Sequence, residues 1–264
     1  TEQGSPLRYY NEAITDKLAA SFALSNPDQI VCLSAMSYGQ PSIAKALAEF
    51  ERQQIKKIVV LPLFPQYSAT TTAVVYDQIA AVLTKTRYLP EIRMVMDYCD
   101  KPEYITALAD NVRASRGQSG NPASQLLLMS FHGMPQRYVD AGDPYQAQCQ
   151  RTAQALATEL GLTAEQWKIS YQSRFGKAQW LTPYTDNVLR NLPDSGINNI
   201  DIICPAFAVD CLETLEEVAV ENKEIYQHAG GQGYTYVPAL NDQDNHIVVL
   251  KQLIDQQMLG WALK

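Results

Sequence analysis

Leu126-Leu127-Leu128-Met129-Ser130-Phe131-His132-Gly133-Met134-Pro135 decides the fold. Its first half is apolar without alternation, which suits a strand buried on both faces of a parallel sheet. Gly133 and Pro135 then break regular structure, and a helical pattern follows over 145–160. The same strand–loop–helix order recurs on either side. With the quoted strand placed at 125–130, others are expected upstream over 29–36, 57–63 and 92–96, with helices over 42–52, 70–84 and 102–116. Downstream, strands are expected over 167–173, 199–205 and 234–238, with helices over 184–192, 210–228 and 246–259. Such alternation defines an α/β chain of parallel sheets with helices on both faces. The stretch 116–122, rich in Gly, Ser, Asn and Pro, interrupts it. The expectation is therefore two similar doubly wound (Rossmann-like) domains.

Composition narrows the function. The chain has 264 residues, 46% of them apolar, enough for two modest domains with real cores. A net charge of -7 with no basic stripe argues against a nucleic-acid partner. The five cysteines, Cys32, Cys99, Cys149, Cys204 and Cys211, are odd in number, widely spaced and without a Cys-x-x-Cys. They lack the usual signatures of a zinc ribbon or four-cysteine cluster and fit free thiols in a reducing cytoplasm. No apolar run reaches the ~18–20 residues that a membrane span needs. Phosphate-binding glycine loops, a Gly-x-Ser-x-Gly elbow and His-Glu-x-x-His are all absent.

Ligands of doubly wound sheets bind beyond the carboxyl ends of strands. That rule selects His132, then Ser173-Arg174-Phe175-Gly176, then Phe207-Ala208-Val209-Asp210. Of the three histidines, His228 reads as structural at a helix end, and His246 as a residue that caps or decorates the last helix. His132 differs, because it stands just past a strand beside a glycine that permits close ligand approach. The helix beginning near Asp210 is acidic, and Glu213, Glu217 and Glu221 recur every four residues along one drifting face. Like charges at that spacing cost roughly 0.2–0.5 kcal/mol per pair. A file of carboxylates can hold cations or relay protons. From spacing alone, a plain exposed face stays open, with Leu212, Leu215, Val218 and Ala219 turned to the core.

Leu128-Met129-Ser130-Phe131-His132-Gly133-Met134-Pro135, followed by Asp140-Ala141-Gly142-Asp143-Pro144-Tyr145, resembles the signature of the ferrochelatases. Four more segments agree in order: Gly4-Ser5-Pro6-Leu7; Leu61-Pro62-Leu63-Phe64-Pro65-Gln66-Tyr67-Ser68; Tyr171-Gln172-Ser173-Arg174-Phe175-Gly176 with Trp180, Leu181 and Pro183; and the run from Cys204 to Glu217. The resemblance implies two four-stranded parallel sheets with a porphyrin cleft between them, the final helix packing back on the first domain. It divides the chain into 1–117 plus 241–264, and 118–240. By the same resemblance His132 and Glu213 are the catalytic and metal-site pair, and Glu217 and Glu221 extend a proton or metal relay. Tyr38, Ser173, Trp180 and Phe207 line the porphyrin.

The implied reaction is insertion of Fe2+ into protoporphyrin IX to give protohaem, with coproporphyrin III as the alternative substrate. A porphyrin binder without catalysis and a cobalt-corrinoid chelatase are the other readings. Porphyrin and ferrous iron are the expected partners, both as substrates. The chain is expected to be monomeric, with membrane association at most peripheral and no tightly bound cofactor. Some relatives carry an iron–sulfur cluster, but Ala69 replaces the first cysteine ligand and 260–264 holds none, so no cluster is expected. Ser37 replaces a basic residue of some relatives, so propionate contacts are expected to differ. Relatives also begin well before Gly4-Ser5-Pro6-Leu7, so the first sheet is expected to be one strand short.

Overall fold

The computed structural model describes residues 4–25, 30–118 and 126–262. In chain order these form α1 (Pro6–Ser25), α2 (Ile43–Arg52), β1 (Lys57–Val60), α3 (Thr72–Leu83), β2 (Glu91–Met94), α4 (Pro102–Gln118) and β3 (Leu126–His132). Then follow α5 (Gln136–Asp140), α6 (Tyr145–Glu159), β4 (Trp167–Gln172), α7 (Thr185–Asn191), β5 (Asn199–Ile203), a π-helix (Glu213–Glu221), α8 (Asn222–His228), β6 (Gly233–Val237) and α9 (Asp244–Met258). The alternation read from the sequence is thus present, and every named strand pair is parallel.

β3 is the centre of a four-stranded sheet of order β4-β3-β5-β6. Its side chains alternate between two cores, which is why its first four positions, Leu126 to Met129, are all apolar. Leu127, Met129 and Phe131 pack with Tyr104, Leu108, Val112, Cys149 and Leu156, while Leu126 and Leu128 pack with Leu189, Ile202, Val218 and Tyr226. Each such apolar side chain contributes roughly 1.5–3 kcal/mol by leaving water. The first of these cores also takes in Ile14, Leu18 and Phe22 of α1 and Leu250 and Leu253 of α9. α1 was not anticipated, although Ile14, Leu18 and Phe22 recur at helical spacing.

The first sheet is smaller than expected. Among the described residues it holds only β1 and β2. Gln29 lies outside the described residues, and 30–35 has no ladder. Met36 makes a single isolated bridge to Ser42. A strand exists only where its backbone N–H and C=O groups find a neighbouring strand, and apolar composition alone does not supply one. The far end of α9 is tied to β2. Arg93 donates to the carbonyls of Gln257 (2.6 Å) and Leu259 (2.8 Å), its guanidinium lies 4.4 Å from the Trp261 ring, and Trp261 Nε1 donates to Glu91 at 2.7 Å. Among the described residues no helix is long and apolar enough to cross a membrane.

His246 neither caps nor decorates α9; it is fully buried in its first turn. Its Nδ1 donates to the Asn241 carbonyl at 2.6 Å, and among the described residues the buried Nε2 has no partner. Burial lowers its pKa to about 4. A histidine depressed in the fold binds its proton more readily when unfolded, so the stability it contributes is complete above the unfolded value and lost as pH falls toward 4. The shift from ~6.5 corresponds to roughly 3 kcal/mol. Urea unfolding between pH 7 and pH 4 should show this loss, and His246→Gln should lose distinctly less over the same range. Parallel losses in the two proteins would show that His246 is not the group responsible.

Candidate active site

β3 ends on His132 itself, two residues further than its composition indicates. The register sets His132 beside Gln172, the last residue of β4, while β5 flanks β3 on the other side. Three chain segments therefore leave adjacent strand ends together: His132-Gly133, Ser173-Arg174, and the run from Cys204 into the π-helix. This is the arrangement expected of a ligand-binding edge in a parallel sheet.

The half-buried His132 ring lies 6.2 Å from the half-buried Phe207 ring. Its Nδ1 is 2.6 Å from the Gly133 carbonyl. A carbonyl only accepts, so Nδ1 carries a proton, and in the neutral ring the lone pair that can take a proton or a metal is then on Nε2. The His132 carbonyl accepts from the Tyr145 hydroxyl at 3.0 Å. Tyr145 is buried, and its own N–H donates to Asp143 at 2.9 Å. The other Asp143 oxygen accepts from Ala69 N at 2.7 Å, which fastens the loop after β1 to the histidine's support.

Gly133 is required by packing. Its N–H donates to the Gln172 carbonyl at 2.8 Å, and a Cβ at this position would stand 2.5 Å from that oxygen and 3.1 Å from the Trp180 ring. The loop is laced further by Gln136 N–H to the Gln179 carbonyl and Leu181 N–H to the Met134 carbonyl, each 2.9 Å. Trp180 is itself buried, its Nε1 has no partner among the described residues, and its ring lies 5.0 Å from the exposed Phe175 ring.

Ser173 adopts φ +62°, a left-handed conformation that costs a non-glycine residue on the order of 1 kcal/mol. The return is a clamp on the acidic helix. Its N–H donates to Glu217 Oε1 at 2.8 Å and its hydroxyl donates to Glu217 Oε2. One residue expected at the porphyrin and one expected in the relay are thus joined to each other.

The acidic helix is not the regular one expected over 210–228. Glu213–Glu221 is a π-helix, continued by α8. Its wider turn closes i to i+5, as in Asn222 N–H to the Glu217 carbonyl, and such segments are rare and frequent at functional sites. Glu213 and Glu221 are exposed and Glu217 is half-buried. Of the apolar residues assigned to the core side, Val218 is buried, Leu215 and Ala219 are half-buried, and Leu212 is exposed.

A buried carboxylate anchors the start of this helix. Asp210 accepts from Thr214 Oγ1 (3.0 Å), the Tyr236 hydroxyl (2.5 Å) and Asn241 Nδ2 (2.7 Å), and its own N–H donates to Asn241 Oδ1 at 2.8 Å. The Cys211 thiol lies 2.9 Å from Glu213 Oε2. Burial, reinforced by that carboxylate, pushes the thiol up to about 12, so it stays protonated and donates. Asp210 was expected at the site only as the end of the loop Phe207-Ala208-Val209-Asp210, and Tyr145, Cys211 and Asn241 were not expected there. Tyr145 and Cys211 stand inside the matching segments, whereas Asn241 carries no sequence signal.

Tyr38 stands apart. It is 78% exposed on the turn before α2 and, among the described residues, makes no hydrogen bond or ring contact. Among the described residues the three-donor cluster close enough for one ion is Asp97, Cys99 and Asp100. Arg151 already lies against it, 2.8 Å from Asp100 and 3.3 Å from Cys99 Sγ.

The architecture is that of the chelatases. SirB from Bacillus subtilis, solved with Fe3+, superposes with a TM-score of 0.68 over 99% of this chain and 96% of that one, at 13% identity. DR2241 from Deinococcus radiodurans, described as multi-domain and similar to chelatases, matches with a TM-score of 0.62 over 97% of this chain and 52% of that one, at 11% identity. Sequence identifies the family within that fold. The ferrochelatase family profile matches residues 1–258, and the chain belongs to the ferrochelatase family. Ferrochelatase 1 of Shewanella oneidensis is 46% identical over 99% of this chain and 78% of its own length. The ferrochelatase of Klebsiella pneumoniae is 48% identical over 96% of this chain and 77% of its own.

Proposed function

We propose that the chain inserts Fe2+ into protoporphyrin IX, releasing two protons and giving protohaem, at the edge formed by β4, β3 and β5. The observation that carries the residue assignment is the His132 Nδ1–Gly133 bond, which puts the lone pair of the neutral ring on Nε2, at a strand end beside Phe207 and near the carboxylate helix that Ser173 clamps. Porphyrin metallation needs a base for two pyrrole N–H protons, an oxygen or nitrogen donor for the incoming iron, and a flat apolar grip on the ring. Histidine as a residue type titrates near neutrality and suits the first task. Glu213 is the donor in this reading, with Glu217 and Glu221 following along the helix. Phe207 grips the macrocycle, whereas Trp180, buried against Gly133 and Phe175, reaches it only if that cover moves. Bending the ring exposes its nitrogen lone pairs, at a strain of roughly 1–5 kcal/mol drawn from binding.

Ser173 holds Glu217 and reaches the porphyrin only by exchanging that partner. Tyr38 would meet the ring from the first half of the chain. The reading includes no resident cofactor or iron–sulfur cluster, and it makes the protein a cytoplasmic monomer. It keeps the division into 1–117 with 241–264, and 118–240. Packing of α9 on α1, α4 and β1 supports that division, while α4 also packs on α6 and β6.

Anaerobic incubation with Fe2+ and either protoporphyrin IX or coproporphyrin III, followed by haem absorbance, tests the proposal. Faster metallation of protoporphyrin IX is expected. Preference for coproporphyrin III would move the substrate assignment. Tight porphyrin binding without insertion of iron or zinc would make the chain a binder only.

A further inference from the structure

We propose that Cys211 is a positioning residue for iron insertion, its thiol holding Glu213 Oε2 so that Oε1 faces the metal. The inference rests on the reading of Glu213 as the iron-site carboxylate. Three observations carry it. The Cys211 thiol stands 2.9 Å from Glu213 Oε2, and no other hydrogen bond to the Glu213 carboxylate is present among the described residues. An exposed glutamate without such a tether samples several rotamers, and fixing one lowers the ordering cost when a ligand arrives.

The backbone that carries the thiol is itself fixed. Cys211 N–H donates to Thr214 Oγ1 at 3.0 Å, and that hydroxyl is in turn bonded to the buried Asp210. The anchor therefore continues from β6 through Asn241 and Asp210 to the thiol, and the thiol is its last link to the carboxylate. A thiol is also a weak donor. It orients the carboxylate while leaving its charge available to iron, where a lysine or arginine would neutralise it.

Steady-state iron insertion by the full chain, varied in Fe2+ and in porphyrin, tests this with Cys211→Ala, Cys211→Ser, Glu213→Gln and the Cys211→Ala/Glu213→Gln double variant. Glu213→Gln should lose at least about tenfold in kcat/KM for iron. Cys211→Ala should lose about tenfold, mostly in the KM for iron, with the porphyrin KM unchanged. Cys211→Ser restores an O–H donor and should recover to within about threefold. In the Glu213→Gln background the alanine substitution should cost less than about twofold, because the group it orients is gone.

Wild-type kinetics in Cys211→Ala, a serine variant as poor as the alanine one, or a further tenfold loss in the double variant would each overturn the proposal. If Glu213→Gln itself is unimpaired, the reading of Glu213 fails; if it is impaired and Cys211→Ala is normal, only the role of Cys211 fails. Should Cys211→Ala not fold, the S–H stretching band decides. It should lie lower in the wild type than in Glu213→Gln, and coincident bands would refute the contact.

Discussion

His132→Ala is expected to lower iron insertion by about three orders of magnitude at neutral pH while leaving the protein folded. A positioned general base contributes typically 10²–10⁴-fold. Among the described residues the side chain makes one hydrogen bond, a local one through Nδ1 to the adjacent Gly133 carbonyl, besides its ring contact with Phe207. Its backbone carbonyl, which receives the buried Tyr145 hydroxyl, survives the substitution. The ladder to β4 also survives, so the stability change should be no more than about 1 kcal/mol. Single-turnover haem formation measures the first quantity, urea unfolding the second, and quenching of porphyrin fluorescence a third. Porphyrin affinity should stay within a few-fold, since Phe207 remains. Turnover near the wild-type rate would remove His132 from the role of base.

Much of this arrangement was legible in the sequence, for reasons that differ between elements. β3 could be read because both faces are buried and its first four positions are all apolar, a pattern with few other meanings. The segment 30–36 has the same composition and yet forms no ladder, because pairing depends on a neighbour that composition does not encode. His132, Phe207 and the Glu213–Glu221 row were found from strand ends and spacing. The π-helix was not, since residue spacing carries no mark of the hydrogen-bond offset, and the Asp210–Asn241 contact just before it spans 31 residues. The same long-range dependence hid the Ser173–Glu217 clamp, which spans 44 residues and turns two separate expectations into one contact. His246 was misread because a histidine near a helix start looks like a cap until its burial is known.

Gly133→Ala should be the most damaging single-methyl change near the site. Glycine here is needed for space, because the added Cβ would stand 2.5 Å from the Gln172 carbonyl, far inside contact distance. That oxygen cannot withdraw, since it accepts the Gly133 N–H and belongs to the last residue of β4. The Trp180 ring closes the other side at 3.1 Å, held by the Leu181–Met134 bond and packed on Phe175. The β3 end must therefore move away from β4, and His132 moves with it. Overpacking of this kind costs about 3 kcal/mol in stability, and a displacement of about 1 Å at a reacting group can cost roughly a hundredfold in rate. Gly117→Ala supplies the contrast. Gly117 lies on α4 with nothing within 4 Å of a built Cβ, so the same methyl there should leave activity intact and should stabilise by up to about 1 kcal/mol. Urea unfolding and single-turnover haem formation on both variants separate the cases. If Gly133→Ala matches Gly117→Ala in both, then β3 and β4 yield to a methyl at no cost, and the rigidity assigned to the His132 loop is wrong.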